Sequence, residues 1–308
     1  MKILVIRLSS MGDIIVTTPV VRWLKLQLGA EVHFLIKKKF EDVILFNPYI
    51  DRIKIYEKTK VVLNDLRAEN YDYIVDLHKS MASTKLSLLL GTTRTTYNKM
   101  NIQKWLLTHL KVNTLPNLHL VDRYYQSVKK LGCEYDGLGL DFFIDPNAKL
   151  PNTLPELYEV IVLGATHYTK RIPFELAMKI IQKTNNQIVL IGGSDVTNEG
   201  QRLHQMYPSI YNLCGKTNLH SSAKIIQSAH KIHTGDTGLM HLSAAMQKDM
   251  IVYWGSTAPI IGMFPYVGKD SKAEIENKIM NLWCQPCTKI GYKRCPLGHF
   301  NCMKLLKP

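Results

Sequence analysis

Short apolar runs of four to six residues alternate with amphipathic stretches along this chain, and the alternation occurs twice, on either side of a proline-rich segment. Met1 to Arg7, Glu31 to Ile36, Arg52 to Tyr56 and Tyr73 to Leu77 read as strands, apolar enough to be covered on both faces. Between them, Ile14 to Leu28, Lys38 to Phe46 and Val61 to Glu69 read as helices. A strand–helix–strand rhythm of this spacing builds right-handed crossovers and hence a parallel, doubly wound sheet. From Gly91 to Leu120 the pattern loosens into a basic, polar region before a helix over Val121 to Leu131. Asp145 to Pro155 carries three prolines and no periodicity, which reads as a linker.

Beyond it the rhythm resumes, with strands at Glu159 to Leu163, Gln187 to Ile191, Ile210 to Leu213, Lys231 to His233 and Met250 to Trp254, and with helices over Phe174 to Lys183 and up to Ala229. The expected class is α/β, with a first domain over residues 1–148 and a second over residues 156–308. The 308 residues suffice for two such domains. Ligands of open parallel sheets bind at the carboxyl ends of the strands, so the strand-end turns are the places to look.

Lys and Arg number 39 against 25 acids, a net charge of +14, which favours anionic partners. No zinc finger, RNA-recognition signature or basic zipper accompanies the charge, so nucleic acid is not the expected partner. No apolar run approaches the roughly 20 residues of a membrane span, and Ile3-Leu4-Val5-Ile6 is too short for a signal-peptide core, so a cytoplasmic setting is expected. In that setting Cys133 and Cys214 read as reduced structural thiols.

Five turns draw attention. Ser9-Ser10-Met11-Gly12-Asp13 follows the first strand, and Asp13 fits a helix N-cap as well as a base that takes a proton from a bound hydroxyl. Thr234 to Gly238 runs from a strand into a helix, where unpaired N–H groups and the helix dipole suit a phosphate. There Asp236 and Thr237 fit caps or ligand contacts, and His241 follows one turn later. Gly164 to Arg171 presents hydroxyls beside Lys170 and Arg171. Gly215-Lys216-Thr217 lacks the upstream glycine of a Walker A loop, and Gly192-Gly193 lacks the dinucleotide fingerprint, which argues against an ATPase and against NAD. In the tail, Cys284-Gln285-Pro286-Cys287 with Cys295, Cys302 and His299 fits a structural zinc, reduced thiols or disulfides. The basic residues Lys79, Lys99, Lys104 and Arg123 suit an anionic acceptor or a solvated face.

Ser-Ser-Met-Gly-Asp with Thr18-Pro19, the strand end at Asp76, Thr166 with Lys170 and Pro173, and Asp236-Thr237-Gly238 with His241 resemble the ADP-heptose:lipopolysaccharide heptosyltransferases of glycosyltransferase family nine. The resemblance runs over nearly the whole chain in order. It implies a GT-B architecture, two Rossmann-like domains facing a central cleft, and an inverting, metal-independent transfer that needs no cofactor beyond an ADP-sugar donor. Asp13 and Lys170 are then the catalytic pair. Thr166, Lys170, Gly215, Lys216, Thr217, Asp236, Thr237, Gly238 and His241 are then the donor side. Ser9, Ser10, Gly12, Lys79, Lys99, Lys104 and Arg123 meet a lipid-linked anionic glycan, which would bring the protein to the inner face of the cytoplasmic membrane. The chain departs from the family at Asn218 to Ser222, where members often carry a glutamate toward the ribose. The rival readings are a nucleotide-sugar epimerase of the same two-domain shape and a nucleic-acid binder driven by charge alone.

Overall fold

The computed structural model describes residues 1–151 and 154–308. The chain divides into two compact units, Met1–Lys99 with Leu118–Phe143, and Met100–Asn117 with Ile144–Pro308. In the first unit β1 (Lys2–Ile6), β2 (Glu31–Ile36), β3 (Arg52–Ile55), β4 (Tyr73–Asp76) and β5 (Thr93–Thr96) form a sheet in the order β3-β2-β1-β4-β5. Each pairing is parallel, as expected of crossover connections. The helices α1 (Met11–Ile15), α2 (Thr18–Leu28), α3 (Thr59–Ala68) and α4 (Met81–Leu90) connect the strands. Leu4 and Ile6 of β1 pack with Leu35, Leu66, Ile74 and Leu86, all fully buried.

The single helix expected over Ile14 to Leu28 is two. Thr17 and Thr18 turn their hydroxyls back onto the Ile14 and Ile15 carbonyls, at 2.6 and 2.7 Å, and Pro19 has no N–H to carry the first helix forward. The helix expected over Lys38 to Phe46 is a shorter 3-10 helix, Lys38–Val43. In the loosely patterned region, α5 (Asn101–Trp105) runs into a π-helical turn, Leu106–Leu110, within the second unit. The chain then returns to the first unit with α6 (Leu120–Val128). Of the expected linker, Asn152 and Thr153 lie outside the described residues.

The second unit holds β6 (Tyr158–Val162), β7 (Gln187–Ile191), β8 (Tyr211–Asn212), β9 (Lys231–Gly235), β10 (Met250–Tyr253) and β11 (Ile275–Lys278). They pair in parallel in the order β11-β10-β9-β6-β7-β8. Besides α5 it holds the helices α7 (Phe174–Lys183), α8 (Thr197–Met206), α9 (Leu219–Ser228), α10 (Gly238–Ala245) and α11 (Asn301–Lys304). The C-terminal tail is part of this core, since Phe300, Cys302, Met303 and Leu306 are buried in one cluster with Leu176, Ile180 and Tyr253.

Candidate active site

In each sheet the chain order reverses beside one strand, and in open α/β sheets such a reversal, where the loops of two neighbouring strands turn in opposite directions, is where ligands bind. In the first sheet the reversal lies between β1 and β4. The loop after β1 is Ser9 to Asp13. Ser10 is the N-cap of α1, and Asp13, three residues on, returns to it. One Asp13 oxygen, Oδ2, accepts from the Ser10 hydroxyl at 2.6 Å and from its N–H at 3.2 Å. The other, Oδ1, lies 2.6 Å from the guanidinium of Arg7. Arg7 also donates to the Ser9 carbonyl at 2.8 Å, the Leu77 carbonyl at 2.6 Å and the Tyr124 hydroxyl at 2.8 Å. Burial works against its charge, but the Asp13 carboxylate and the Tyr124 and Tyr97 oxygens outweigh burial and hold its pKa above the ordinary value. Ser10, not Asp13, is therefore the N-cap, and Asp13 is the third helical residue of the capping box, its carboxylate held between Ser10 and Arg7.

The loop after β4 is shaped by Asp76, which is fully buried. Its Oδ1 accepts from the N–H groups of His78 and Lys79, and its Oδ2 from Arg94 at 2.6 Å. Lys79 donates to the Tyr97 carbonyl at 2.8 Å. Burial, then the Arg7 and Lys99 charges, push the His78 imidazole down to about 4, so it is neutral at neutral pH. Of the residues expected on the acceptor side, Ser9, Ser10, Gly12, Lys79, Lys99 and Arg123 lie in the first unit and Lys104 in the second. Gly12 and Arg123 are buried, and burial pushes the Arg123 guanidinium down. Arg7, Tyr97 and Tyr124 were not anticipated. The one signal for Arg7 is a cation closing an otherwise apolar strand next to a polar turn.

In the second sheet the reversal lies between β9 and β6. Lys170, in the loop after β6, lies 2.7 Å from Oδ2 of Asp236, in the loop after β9. Thr257 donates to the same oxygen at 2.7 Å. Thr169, beside Lys170, shares a hydrogen bond of 2.7 Å with Ser256. Thr169 is one of the hydroxyls expected in the turn after β6, whereas Ser256 and Thr257 were not anticipated, since they follow β10 in a stretch without a motif. Glycine is required here for space: a Cβ on Gly235 would stand 2.0 Å from the Lys170 carbonyl, and one on Gly255 would stand 2.2 Å from that of Thr169. Thr237, not Asp236, caps α10, its hydroxyl accepting from the Met240 N–H at 3.3 Å. Gly238 opens that helix half-buried, Thr166 is exposed, and His241 is buried in the body of α10. Gly215, Lys216 and Thr217 lie after β8, two strands from β6. There Lys216 donates to the Asn212 carbonyl at 3.0 Å, and Thr217 bonds Ser222 at 2.8 Å. Asn218 caps α9 through the Ser221 N–H. Burial and the Lys170 ammonium push His167 below its ordinary pKa.

The structural zinc anticipated in the tail is not supported. Cys284, Cys287, Cys295, Cys302 and His299 do line one cavity, of about 30 Å³, together with Thr169 and Ser256. Cys284 Sγ lies 3.9 Å from His299 Nε2. Among the described residues, however, the group of three or more His, Cys, Asp or Glu ligand atoms within 4.8 Å of one another is Glu31, His33 and Glu69, not the tail cysteines. Burial together with the neighbouring cysteines pushes the Cys302 thiol up to about 12 and raises that of Cys287. The Glu31 group is an ion-pair network, with Glu69 taken by Lys2 at 3.0 Å and Lys54 at 2.7 Å. The tail's visible work is bracing: Gln285 donates to the Trp254 and Gly255 carbonyls, Cys287 donates its N–H to the Ser256 carbonyl, and Tyr292 and Thr169 exchange hydrogen bonds.

Residues 61–296 match the family model described as Glycosyltransferase family 9 (heptosyltransferase). A curated relative, lipopolysaccharide heptosyltransferase 1 of Campylobacter coli, is 24% identical over 290 residues, covering 83% of this chain and 84% of its own. The solved glycosyltransferase family 9 protein of Veillonella parvula superposes with a TM-score of 0.76 at 18% identity, over 99% of this chain and 93% of that one. The Escherichia coli heptosyltransferase WaaC, solved with ADP, gives a TM-score of 0.71 at 21% identity, over 94% and 97% of the two chains. These likenesses, with the two parallel sheets, place the fold in the GT-B class.

Proposed function

The chain belongs to glycosyltransferase family 9, and on that footing we propose that it transfers heptose, or a related sugar, from an ADP-sugar to a lipopolysaccharide core acceptor with inversion at the anomeric carbon. The observation that carries this reading is one charged pair at each reversal point, Arg7 with Asp13 in the first sheet and Lys170 with Asp236 in the second. Curated relatives named lipopolysaccharide heptosyltransferase 1 and a relative solved with ADP-2-deoxy-2-fluoro heptose support the donor and acceptor classes.

The Asp13 carboxylate takes the proton of the acceptor hydroxyl as its oxygen bonds to the anomeric carbon. The bond from that carbon to the diphosphate oxygen breaks, and ADP leaves with the electron pair. A diphosphate is a weak base, so no general acid is assigned to its departure. The charge growing on it is met by Lys170 and by the N–H groups of Thr237 and Gly238 at the start of α10. The protein groups named here suffice for that role, which makes the transfer metal-independent in this reading. Ser9, Ser10, Lys79 and Lys99 are assigned to the anionic acceptor, whose lipid anchor brings the protein to the inner membrane surface.

The test is Asp13→Asn, assayed with ADP-heptose and a core acceptor. Transfer should fall by roughly 10² to 10⁴-fold, while ADP binding by calorimetry stays at the wild-type level. Retained turnover removes Asp13 from the mechanism. Conversion of the donor with no acceptor present marks an epimerase instead.

A further inference from the structure

No aspartate or glutamate occurs between Leu77 and Val121, nor between Asn277 and Pro308. Parts of these two acid-free stretches meet in the second unit. Lys111 donates to the carbonyls of Cys284 at 2.9 Å and Pro286 at 2.8 Å, and Lys289 reaches Asn101 at 3.2 Å. Each contact is flanked on both sides by an exposed apolar side chain. Leu110 and Trp283 adjoin the first, 57% and 77% exposed, and Ile102 and Ile290 adjoin the second, 74% and 55% exposed. Trp105, half exposed, stacks on His109 between them along the chain. Lys289, Lys293 and Arg294 are exposed beside this apolar set.

We propose that this surface seats the second unit on an anionic lipid bilayer. A soluble surface gains nothing from two exposed tryptophans, whereas the headgroup layer is where an indole ring is most stable. Lys and Arg next to them find anionic phosphates at the same depth, and neither stretch contributes a side-chain carboxylate to oppose the approach. Among the described residues no helix is long and apolar enough to cross a membrane, so the contact is with the surface. The inference rests on the membrane-surface part of the function proposed above and on none of its chemistry.

The chain has four tryptophans, and Trp23 and Trp254 are buried. Lipid-borne bromine therefore reads Trp105 and Trp283 selectively. The full-length protein is mixed with vesicles of brominated phosphatidylglycerol and phosphatidylcholine, without sugar nucleotide or acceptor. Quenching and co-sedimentation are expected with these vesicles and not with pure phosphatidylcholine. Trp105→Ser with Trp283→Ser should lower the partition coefficient at least tenfold, as should Lys289→Glu with Lys293→Glu. Both pairs lie on the surface, and circular dichroism checks that they fold. The proposal is overturned if the wild type neither sediments nor quenches, if the variants partition like the wild type, or if the protein binds an RNA oligomer and ignores the vesicles. Because the assay needs no transfer, each of these outcomes leaves the glycosyltransferase reading standing, and loss of transfer in Asp13→Asn leaves this one standing.

Discussion

A guanidinium taken out of water needs a carboxylate and enough acceptors to satisfy its N–H groups, and Arg7 has Asp13, two carbonyls and a phenol. The same contacts hold Asp13 at one angle and favour its ionised form. Arg7→Gln removes the charge and keeps some of the hydrogen bonds, so the carboxylate becomes easier to protonate. The acid limb of the kcat/KM profile should then move to higher pH, and Arg7→Lys should return part of the way. An unmoved limb would mean that Arg7 only fills space. His78 makes a separate prediction for stability. Its folded pKa of about 4 lies below the ordinary 6.5, so between these values the unfolded chain binds a proton that the native state refuses. Stability therefore falls as pH drops from 6.5 to 4. His78→Gln should flatten denaturant midpoints across that window. Glu159, held at about 2 by the His233 and Asn186 hydrogen bonds against the cost of burial, acts lower, its contribution fading as pH falls from 4.5 toward 2. Asp13, Lys170 and Asp236 were legible because each sits in a polar turn after an apolar run. Arg7 was not, since a cation at a strand end is usually solvated and only the fold brings Tyr124 to it.

Elements were legible where one face or both were apolar. Phe174–Lys183 and Gln187–Ile191 have the bounds their sequence pattern predicts. The strands β5 and β11 were not anticipated, because Thr-Arg-Thr-Thr and Ile-Glu-Asn-Lys are polar strands that lie at sheet edges, where little burial is demanded. The helix α8 escaped for a related reason: Gly200 and Leu203 are its only buried residues, so no apolar stripe marks it. The β9 end shows what an element contributes to the site. The loop bearing Lys170 rests directly on the backbone at Gly235, and a methyl group there has no room. Gly235→Ala should push that loop off the strand end and separate Lys170 from Asp236. ADP affinity by calorimetry should fall about tenfold or more, with the sheet retained by circular dichroism. Unchanged affinity would show that the loop's position is immaterial to the donor.

Each unit has its own parallel sheet, its own reversal point and its own charged pair, and the two buried clusters draw on different parts of the chain. The proposed chemistry divides in the same way, with the acceptor hydroxyl activated on the first unit and the diphosphate held on the second. Sequence pattern alone could show the two-fold rhythm, but not that Met100–Asn117 belongs with the second unit, where Lys111 and Lys289 make hydrogen bonds between residues more than 170 positions apart. A ligand that binds the native state slows local opening where it touches. ADP alone should therefore raise amide-exchange protection in Thr166–Arg171 and Asp236–Met240 while Ser10–Asp13 exchanges at its ligand-free rate. A core acceptor alone should protect Ser10–Asp13 and leave the Asp236 loop as it was. If ADP protected the Asp13 loop as strongly as its own, the donor would not be confined to the second unit, and the roles given to Asp13 and Lys170 would have to be reassigned.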